Sequence, residues 1–222
     1  MPELGLIDYT LIRSSRKTLS LQINDDADLV VRAPKNLPIT EIDAFILDKA
    51  NWIKKKQAVV KSRHLPKAKY QAGELFLYLG QYYPLATNNH KQGLYFDGEC
   101  FSTSAFNRED LLKFYKQEFL KIAIPRLKYY AEHYQFDYQQ IRLKKQKTIW
   151  GSCSANNNIN LNYLLIQAPM TVIDYVVVHE LAHTKIKNHS KAFWQLVESI
   201  LPDYQASKNW LKEEGFRLKQ VL

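Results

Sequence analysis

Three histidines and one glutamate near the carboxyl-terminal end are the feature that most constrains how this chain can fold. The motif HELAH occupies residues 179–183 and His189 follows six residues later, so half of the six histidines lie in one stretch. Residues four apart on an α-helix lie on the same face, so His179 and His183 can reach one ion together. Glu180 projects about 100° around the axis, the position of a general base beside such an ion. The spacing therefore predicts a helix that carries a hydrolytic metal centre.

The third histidine requires the chain to turn back after this helix. In an unbroken helix, His189 would lie about 15 Å along the axis from His179, too far to share an ion bound at about 2 Å. Asn188 is the predicted hinge, because asparagine tolerates a left-handed conformation better than the other residues there. Ser190 is then expected to cap a second helix. Glu198 on that helix remains an alternative third ligand.

The residues before the motif also favour a helix. Pro169 ends an extended stretch, and Thr171 with Asp174 forms a predicted capping pair. Apolar residues then recur at helical spacing, namely Ile173, Val176, Val177 and Leu181. The pattern indicates a buried helix with the histidines at its carboxyl-terminal end.

The chemistry of this ligand set is that of a zinc hydrolase. Three neutral imidazoles leave one position of a tetrahedral zinc ion to water, whose pKa then falls to about 7. Glu180 is expected to accept the proton as the water attacks a polarised carbonyl, and to pass it to the leaving amine. The residue that stabilises the oxyanion stays open among four candidates: Trp150, Ser152, Asn162 and His133.

Several further motifs carry a resemblance to a known family. They are Trp150-Gly151-Ser152-Cys153-Ser154, Asn160-Leu161-Asn162, residues 174–183, Asn188-His189-Ser190 and Phe193-Trp194. With them the chain resembles the YgjP-like metallopeptidases, a zincin family related in its core to SprT-like proteases. Less specific matches extend this resemblance to the amino-terminal half, at residues 14–18, 32–34, 52–56 and 78–83.

The resemblance implies a zinc site and a peptide or unfolded-protein substrate. It implies His179, His183 and His189 as the metal ligands and Glu180 as the catalytic base. In zincins, a strand beside the active-site helix offers its free edge to an extended peptide. Residues 160–166 are the candidate for that strand, with a plain core strand as the alternative. The candidate substrate-binding residues are Asn160, Asn162, Trp150 and Ser152.

An α+β fold in two parts is predicted. Residues 1–105 should form a small, mostly antiparallel amino-terminal sheet with one helix that begins at Thr40. Residues 106–222 should form a zincin-like helical metallopeptidase core with a short sheet. This second part should open with a long helix capped by Asn107 and interrupted by Pro125. Two strands, at residues 141–149 and 158–166, should then precede the metal helix.

The composition is that of a compact enzyme of a reducing compartment. The 222 residues are 46% hydrophobic, enough for a substantial core. Residues 1–12 lack a signal-peptide pattern and no apolar run approaches 18 residues, so we expect a cytoplasmic protein without membrane contact. Cys100 and Cys153 lie far apart, which predicts no disulfide framework. Cys153 is expected to be a packed thiol rather than a nucleophile. The oligomeric state is not fixed by these patterns.

The charge keeps other functions open. Thirty-one basic residues against 22 acidic ones give a net charge of +9, which attracts polyanions. The basic clusters at residues 54–56, 61–69 and 142–147 are most simply solvated faces. The alternatives are a nucleic-acid-associated protease, as the SprT-like resemblance implies, and a metal-dependent nucleoside triphosphate pyrophosphatase, an activity linked to proteins that resemble this family. A noncatalytic metal-stabilised module is disfavoured, because structural zinc sites usually close all four positions with protein ligands.

Overall fold

The computed structural model describes residues 7–24, 26–62, 68–88, 93–146, 148–219 and 221, which form a mixed α+β structure. The predicted α+β class is confirmed. The chain divides into two compact units, Met1–Pro66 and Lys67–Leu222. The boundary proposed at residue 105 lies inside the second unit, because the backbone at Leu79 and Gly80 bonds to the helical core. Their N–H groups donate to the carbonyls of Ile166 and Gln167 at 2.8 and 3.0 Å.

The first unit contains a three-stranded sheet and two helices. Its elements are β1 (Tyr9–Ser14), β2 (Ser20–Ile23), β3 (Leu29–Pro34), α1 (Ile39–Asp48) and α2 (Ala50–Ser62). The strand order is β1-β3-β2, with β1 parallel and β2 antiparallel to the central strand, so the sheet is mixed rather than mostly antiparallel. The single helix predicted from Thr40 is divided at Lys49, which ends α1. Alternate residues of β3 pack against both helices to form the core of this unit, which consists of Leu29, Val31, Ala33, Ile42, Ile46 and Ile53.

The second unit begins with a four-stranded sheet and a long helix. These elements are β4 (Leu75–Tyr78), β5 (Gln81–Thr87), β6 (Tyr95–Phe96), β7 (Phe101–Thr103) and α3 (Arg108–His133). The strands are ordered β4-β5-β7-β6, so the amino-terminal 105 residues hold two sheets where one was predicted. The predicted cap of α3 is confirmed, since the Asn107 side chain accepts the Asp110 N–H at 2.9 Å. Pro125 lies inside α3 without dividing it.

A third sheet and three helices complete the second unit. They are β8 (Gln140–Lys144), β9 (Gly151–Cys153), β10 (Asn158–Asn162), α4 (Met170–Lys185), α5 (Lys191–Ile200) and α6 (Tyr204–Glu214), with short 3₁₀ helices at Tyr163–Gln167 and Arg217–Lys219. Among the described residues, no helix is long and apolar enough to cross a membrane.

The third sheet corrects the prediction of a free edge at residues 160–166. Strand β10 lies in the centre, parallel to β8 and antiparallel to β9, so both of its edges are occupied. Residues 163–167 form a 3₁₀ helix instead of continuing the strand. Ile159 and Leu161 of β10 are fully buried, as expected of a central strand. The strands at the two edges of this sheet are β8 and β9.

Candidate metal centre

Helix α4 carries the HELAH motif through the core of the second unit. The helix begins after Pro169 without a side-chain cap, so the predicted capping pair of Thr171 and Asp174 does not form. Asp174 instead accepts a bidentate pair of hydrogen bonds from Arg126 of α3, with 2.6 Å between Nε and Oδ1. A guanidinium fork stabilises a buried carboxylate better than a cap, because it supplies two donors and the opposite charge. This ion pair joins the first turn of α4 to α3.

Three imidazole nitrogens converge at the end of α4. The Nε2 atom of His189 lies 3.1 Å from that of His179 and 3.2 Å from that of His183. In a tetrahedral zinc site, two nitrogens bonded at about 2.0–2.1 Å lie about 3.3 Å apart. The three histidines form a group that could hold a metal ion, and Glu198 is not part of it.

The loop between α4 and α5 brings His189 back to the other two rings. Helix α4 ends at Lys185, and the backbone of the next residue, Ile186, is extended with φ −130° and ψ 104°. The prediction that Asn188 adopts a left-handed conformation is wrong, because its φ is not positive. The Asn188 side chain accepts the Ser190 N–H at 3.2 Å, so it supports the turn by a side-chain hydrogen bond. Ser190 occupies the N-cap position of α5 as predicted, although its hydroxyl makes no capping bond.

The surroundings of the rings fix their orientation. Nδ1 of His183 lies 3.0 Å from the Ile186 carbonyl and donates to it, which leaves Nε2 with its lone pair for a metal. The ring of Phe193, which is fully buried, lies 4.5–5.0 Å from all three histidine rings. Apolar packing beneath the nitrogens excludes water from that side of the site.

Burial holds His179 and His183 in the neutral form that a metal ion requires. It lowers the pKa of His179 to about 3, with smaller contributions from the neighbouring His183 and His189. Burial also lowers the pKa of His183. Both rings are therefore neutral at pH 7, as a metal ligand must be.

Glu180 follows His179 on α4, and its side chain packs against Gly151 of strand β9. Its side chain is buried, and burial raises the pKa of its carboxyl group to about 8. A Cβ atom added at Gly151 would lie 2.5 Å from Oε1 of Glu180, 2.7 Å from Cγ and 2.8 Å from Cδ. Only glycine therefore leaves room for this carboxylate. No role was predicted for Gly151, although a glycine within a strand often marks the close approach of another group.

Within the part of the chain that the structure describes, the backbone of β9 pairs with one strand only and leaves an edge free beside Glu180. Trp150 and Ser154 bond to β10, since the Trp150 carbonyl accepts the Asn162 N–H at 2.8 Å and the Ser154 N–H donates to Asn158 at 2.9 Å. Hydrogen-bonding direction alternates along an antiparallel strand, so the N–H and C=O groups of Gly151 face away from β10. An extended chain could add to this edge.

The side chains predicted to bind substrate lie in three different surroundings. Asn160 and Ser152 bond to each other at 3.0 Å on the sheet face opposite to the one that Gly151 presents to Glu180. Asn162 is fully buried and its amide donates to the carbonyls of residues 146 and 149 at 2.8 and 3.1 Å. Trp150 is half-buried, with the Lys219 ammonium 5.0 Å from its ring.

Two other predicted side chains lie outside the histidine group. His133, at the end of α3, stacks on Tyr129 with ring centroids 5.8 Å apart. Burial raises the pKa of the Cys153 thiol, as expected for a packed thiol rather than a nucleophile.

An aromatic wall of Trp194, Tyr204 and Tyr175 flanks the histidines. The sequence did not predict this group. Trp194 of α5 stacks on His189 at 5.6 Å and on Tyr204 of α6 at 5.5 Å. Tyr204 in turn stacks on Tyr175 at 6.2 Å, and burial raises the pKa of Tyr175 to about 12. The wall joins α4, α5 and α6 around the histidine rings.

Comparisons with known proteins relate the chain to a described family. The family model described as YgjP-like, metallopeptidase domain matches residues 17–214. UTP pyrophosphatase of Escherichia coli (strain K12) is 41% identical over 54 residues, which cover 24% of this chain and 32% of that protein. The chain thus spans about a third of the length of this curated relative. Among solved structures, the metallopeptidase zymogen of Pyrococcus abyssi abylysin shows 20% identity and a TM-score of 0.38 over 42% of this chain and 95% of that one.

Proposed function

The chain belongs to the YgjP-like metallopeptidase family, and from this premise we propose that it is a zinc-dependent peptidase with His179, His183 and His189 as ligands. The family itself implies a hydrolase with a divalent metal. The observation that carries the proposal is the convergence of three Nε2 atoms on one point, at the end of the helix that also carries the buried Glu180.

The donor set favours zinc over other divalent ions. Three imidazole nitrogens suit zinc, whereas magnesium and calcium prefer carboxylate, carbonyl and water oxygens. The separations of 3.1 and 3.2 Å between nitrogens match a tetrahedron of zinc-like dimensions. Three protein ligands leave one corner open, the arrangement of catalytic rather than structural zinc sites.

Each residue of the site then has a defined task. When bound, the ion acts as a Lewis acid and lowers the pKa of water beside it. Glu180, whose ionised form a bound cation would favour, would accept a proton from the attacking water and return it to the leaving amine. The outward backbone groups of Gly151 hold the substrate as an added strand, which places its peptide bonds next to Glu180. Phe193 keeps the inner side of the site dry.

Metal loading followed by a substrate panel tests this proposal. The purified protein is stripped with a chelator, reloaded with one equivalent of zinc and incubated with an unfolded protein such as reduced casein. We expect new peptide amino groups to appear with the zinc-loaded protein and none with the stripped one. Failure to take up zinc in a one-to-one ratio would contradict the ligand assignment.

A second candidate is hydrolysis of nucleoside triphosphates. The observation that favours it is the 41% identity over 54 residues with a protein named UTP pyrophosphatase. The same zinc-loaded protein should therefore be given UTP, with release of UMP and pyrophosphate as the readout. Turnover of UTP without cleavage of casein would select the pyrophosphatase over the peptidase.

A further inference from the structure

A cationic groove lies on the second unit between α3 and β8. Its volume is about 620 Å³, and it is lined by Lys113, Lys116, Gln117 and Leu120 of α3 and by residues 142–144 of β8. Four of these seven residues are cationic, and no described carboxylate lines the groove. Within the described part of the chain, none of the four cations forms an ion pair. The groove is therefore a concentrated positive surface with no internal counter-charge.

The helix supplies one continuous wall of the groove. The four α3 residues follow one another at spacings of three, one and three, which places them on a single helix face. Leu120 is half exposed there, at 49%. This face combines two ammonium groups with an apolar patch.

The strand supplies the opposite wall along a free edge. Strand β8 is the outer strand of the order β8-β10-β9 and bonds to one neighbour only within the described residues. Arg142, Leu143 and Lys144 are consecutive, so their side chains alternate between the two faces of the sheet. A groove lined by all three runs along the edge of the strand, where unpaired backbone N–H and C=O groups are available.

We propose that this groove binds an extended acidic segment of a protein, which adds as a strand to the edge of β8. Carboxylates on the segment face Lys113, Lys116, Arg142 and Lys144, while Leu120 and Leu143 contact its apolar side chains. The groove contains no aromatic side chain on which the bases of a single-stranded nucleic acid could stack. The free edge and the charge together thus favour a peptide over a nucleic acid.

The proposed groove is separate from the metal site. Strand β9, beside Glu180, is the other outer strand of the same sheet. Two strand spacings of about 4.8 Å each separate the two free edges. A segment bound at β8 therefore leaves the edge of β9 open, and binding can be measured independently of hydrolysis.

Fluorescence anisotropy of the intact protein tests the groove. The probe is a labelled ten-residue peptide in which glutamate alternates with valine, and its intactness is checked by mass spectrometry. The variant Lys116→Glu with Arg142→Glu reverses two charges in the groove. The control Lys128→Glu with Lys212→Glu makes the same change in net charge at exposed positions outside it. A second probe has the same sequence with N-methyl groups on alternate residues, which prevents strand addition but keeps the charge.

We expect the affinity for the acidic peptide to depend on where the charges lie and on free backbone N–H groups in the peptide. The groove variant should bind the acidic peptide about tenfold more weakly than the control variant does, because two attractive pairs become repulsive. The N-methylated peptide should also bind about tenfold more weakly to the unaltered protein, because it cannot form the ladder. Equal binding by both variants, or equal binding of both peptides, would overturn the proposal. Tighter binding of a ten-residue oligothymidine in the groove would replace it by nucleic-acid recognition.

Discussion

Replacing Gly151 by alanine should disable catalysis while leaving the metal site intact. The added Cβ would lie 2.5 Å from Oε1 of Glu180, whereas ordinary contacts begin at 3.4 Å. The carboxylate or the strand must therefore move by about 1 Å. The three atoms nearest to the added Cβ all belong to Glu180, so the convergence of the three histidines should persist.

The size of the effect follows from that displacement. A misplacement of about 1 Å in a catalytic group lowers the rate by about 100-fold, equivalent to about 2.7 kcal/mol in the activation free energy. We expect this loss in kcat, with zinc affinity changed by less than about threefold. The assay is peptide hydrolysis by zinc-loaded protein, together with a zinc titration against a chromogenic chelator.

Two controls assign the loss to the contact with Glu180. Ser152→Ala alters the next residue of the same strand, whose side chain lies on the other sheet face, and should keep activity within about threefold. In a Glu180→Asp background the shorter side chain withdraws from the new Cβ, so Gly151→Ala should add less than about tenfold. Full activity in the single variant would refute the reasoning, as would an undiminished loss in the Glu180→Asp background.

Four further outcomes are expected. Glu180→Gln should retain one zinc ion and lose hydrolysis by about 10²–10⁴-fold, measured by metal analysis and peptide cleavage. Arg126→Ala should lower the free energy of unfolding in urea by about 2–3 kcal/mol, because it leaves the charge of Asp174 buried without its partner. The metal-free protein should lose thermal stability as the pH rises from 6.5 to 8, because folded Glu180, with a pKa of about 8, retains a proton that the unfolded chain releases. Zinc at 100 times its dissociation constant should stabilise the protein by about 2.7 kcal/mol in a thermal shift assay, an effect that His189→Ala should remove.

Each of these outcomes has its own control. Substantial hydrolysis by Glu180→Gln would exclude Glu180 as the catalytic base. Arg126→Lys keeps the charge but not the bidentate geometry. Its free energy of unfolding should therefore lie between those of the unaltered protein and Arg126→Ala. The pH-dependent decline should vanish in Glu180→Gln measured without metal, and its persistence there would assign the decline to another group. His179 and His183 cannot cause this decline, because their pKa values are lowered in the folded protein, so that loss of their protons from the unfolded chain near pH 6.5 favours folding as the pH rises.

Much of the candidate site could be read from the sequence because its signals are local. The helical period places His179 and His183 on one face, and the distance argument requires a reversal before His189. The cap at Asn107 is equally local, since it joins residues three apart. These features depend on hydrogen bonds and geometry within a few turns of the chain.

The errors concern features that distant parts of the chain decide. Asp174 stands where a capping residue could stand, but a guanidinium 48 residues away offers it a better partner. Strand β10, which was predicted to bind the peptide, is central because β8 pairs with it in parallel. No local sequence pattern predicts that pairing. Asn188 supports its turn through its side chain, since the extended Ile186 already redirects the backbone.

By itself the sequence determined the chemistry of the donors and the class of the fold, because residue identity and short-range periodicity suffice for both. Only the tertiary structure decided that Gly151 lies against Glu180 and that β9 has the free edge beside it. Strand order and the contacts between a strand and a helix depend on how the whole core packs. Gly151 precedes Glu180 by 29 positions, so the contact between them exists only when folding brings β9 against α4.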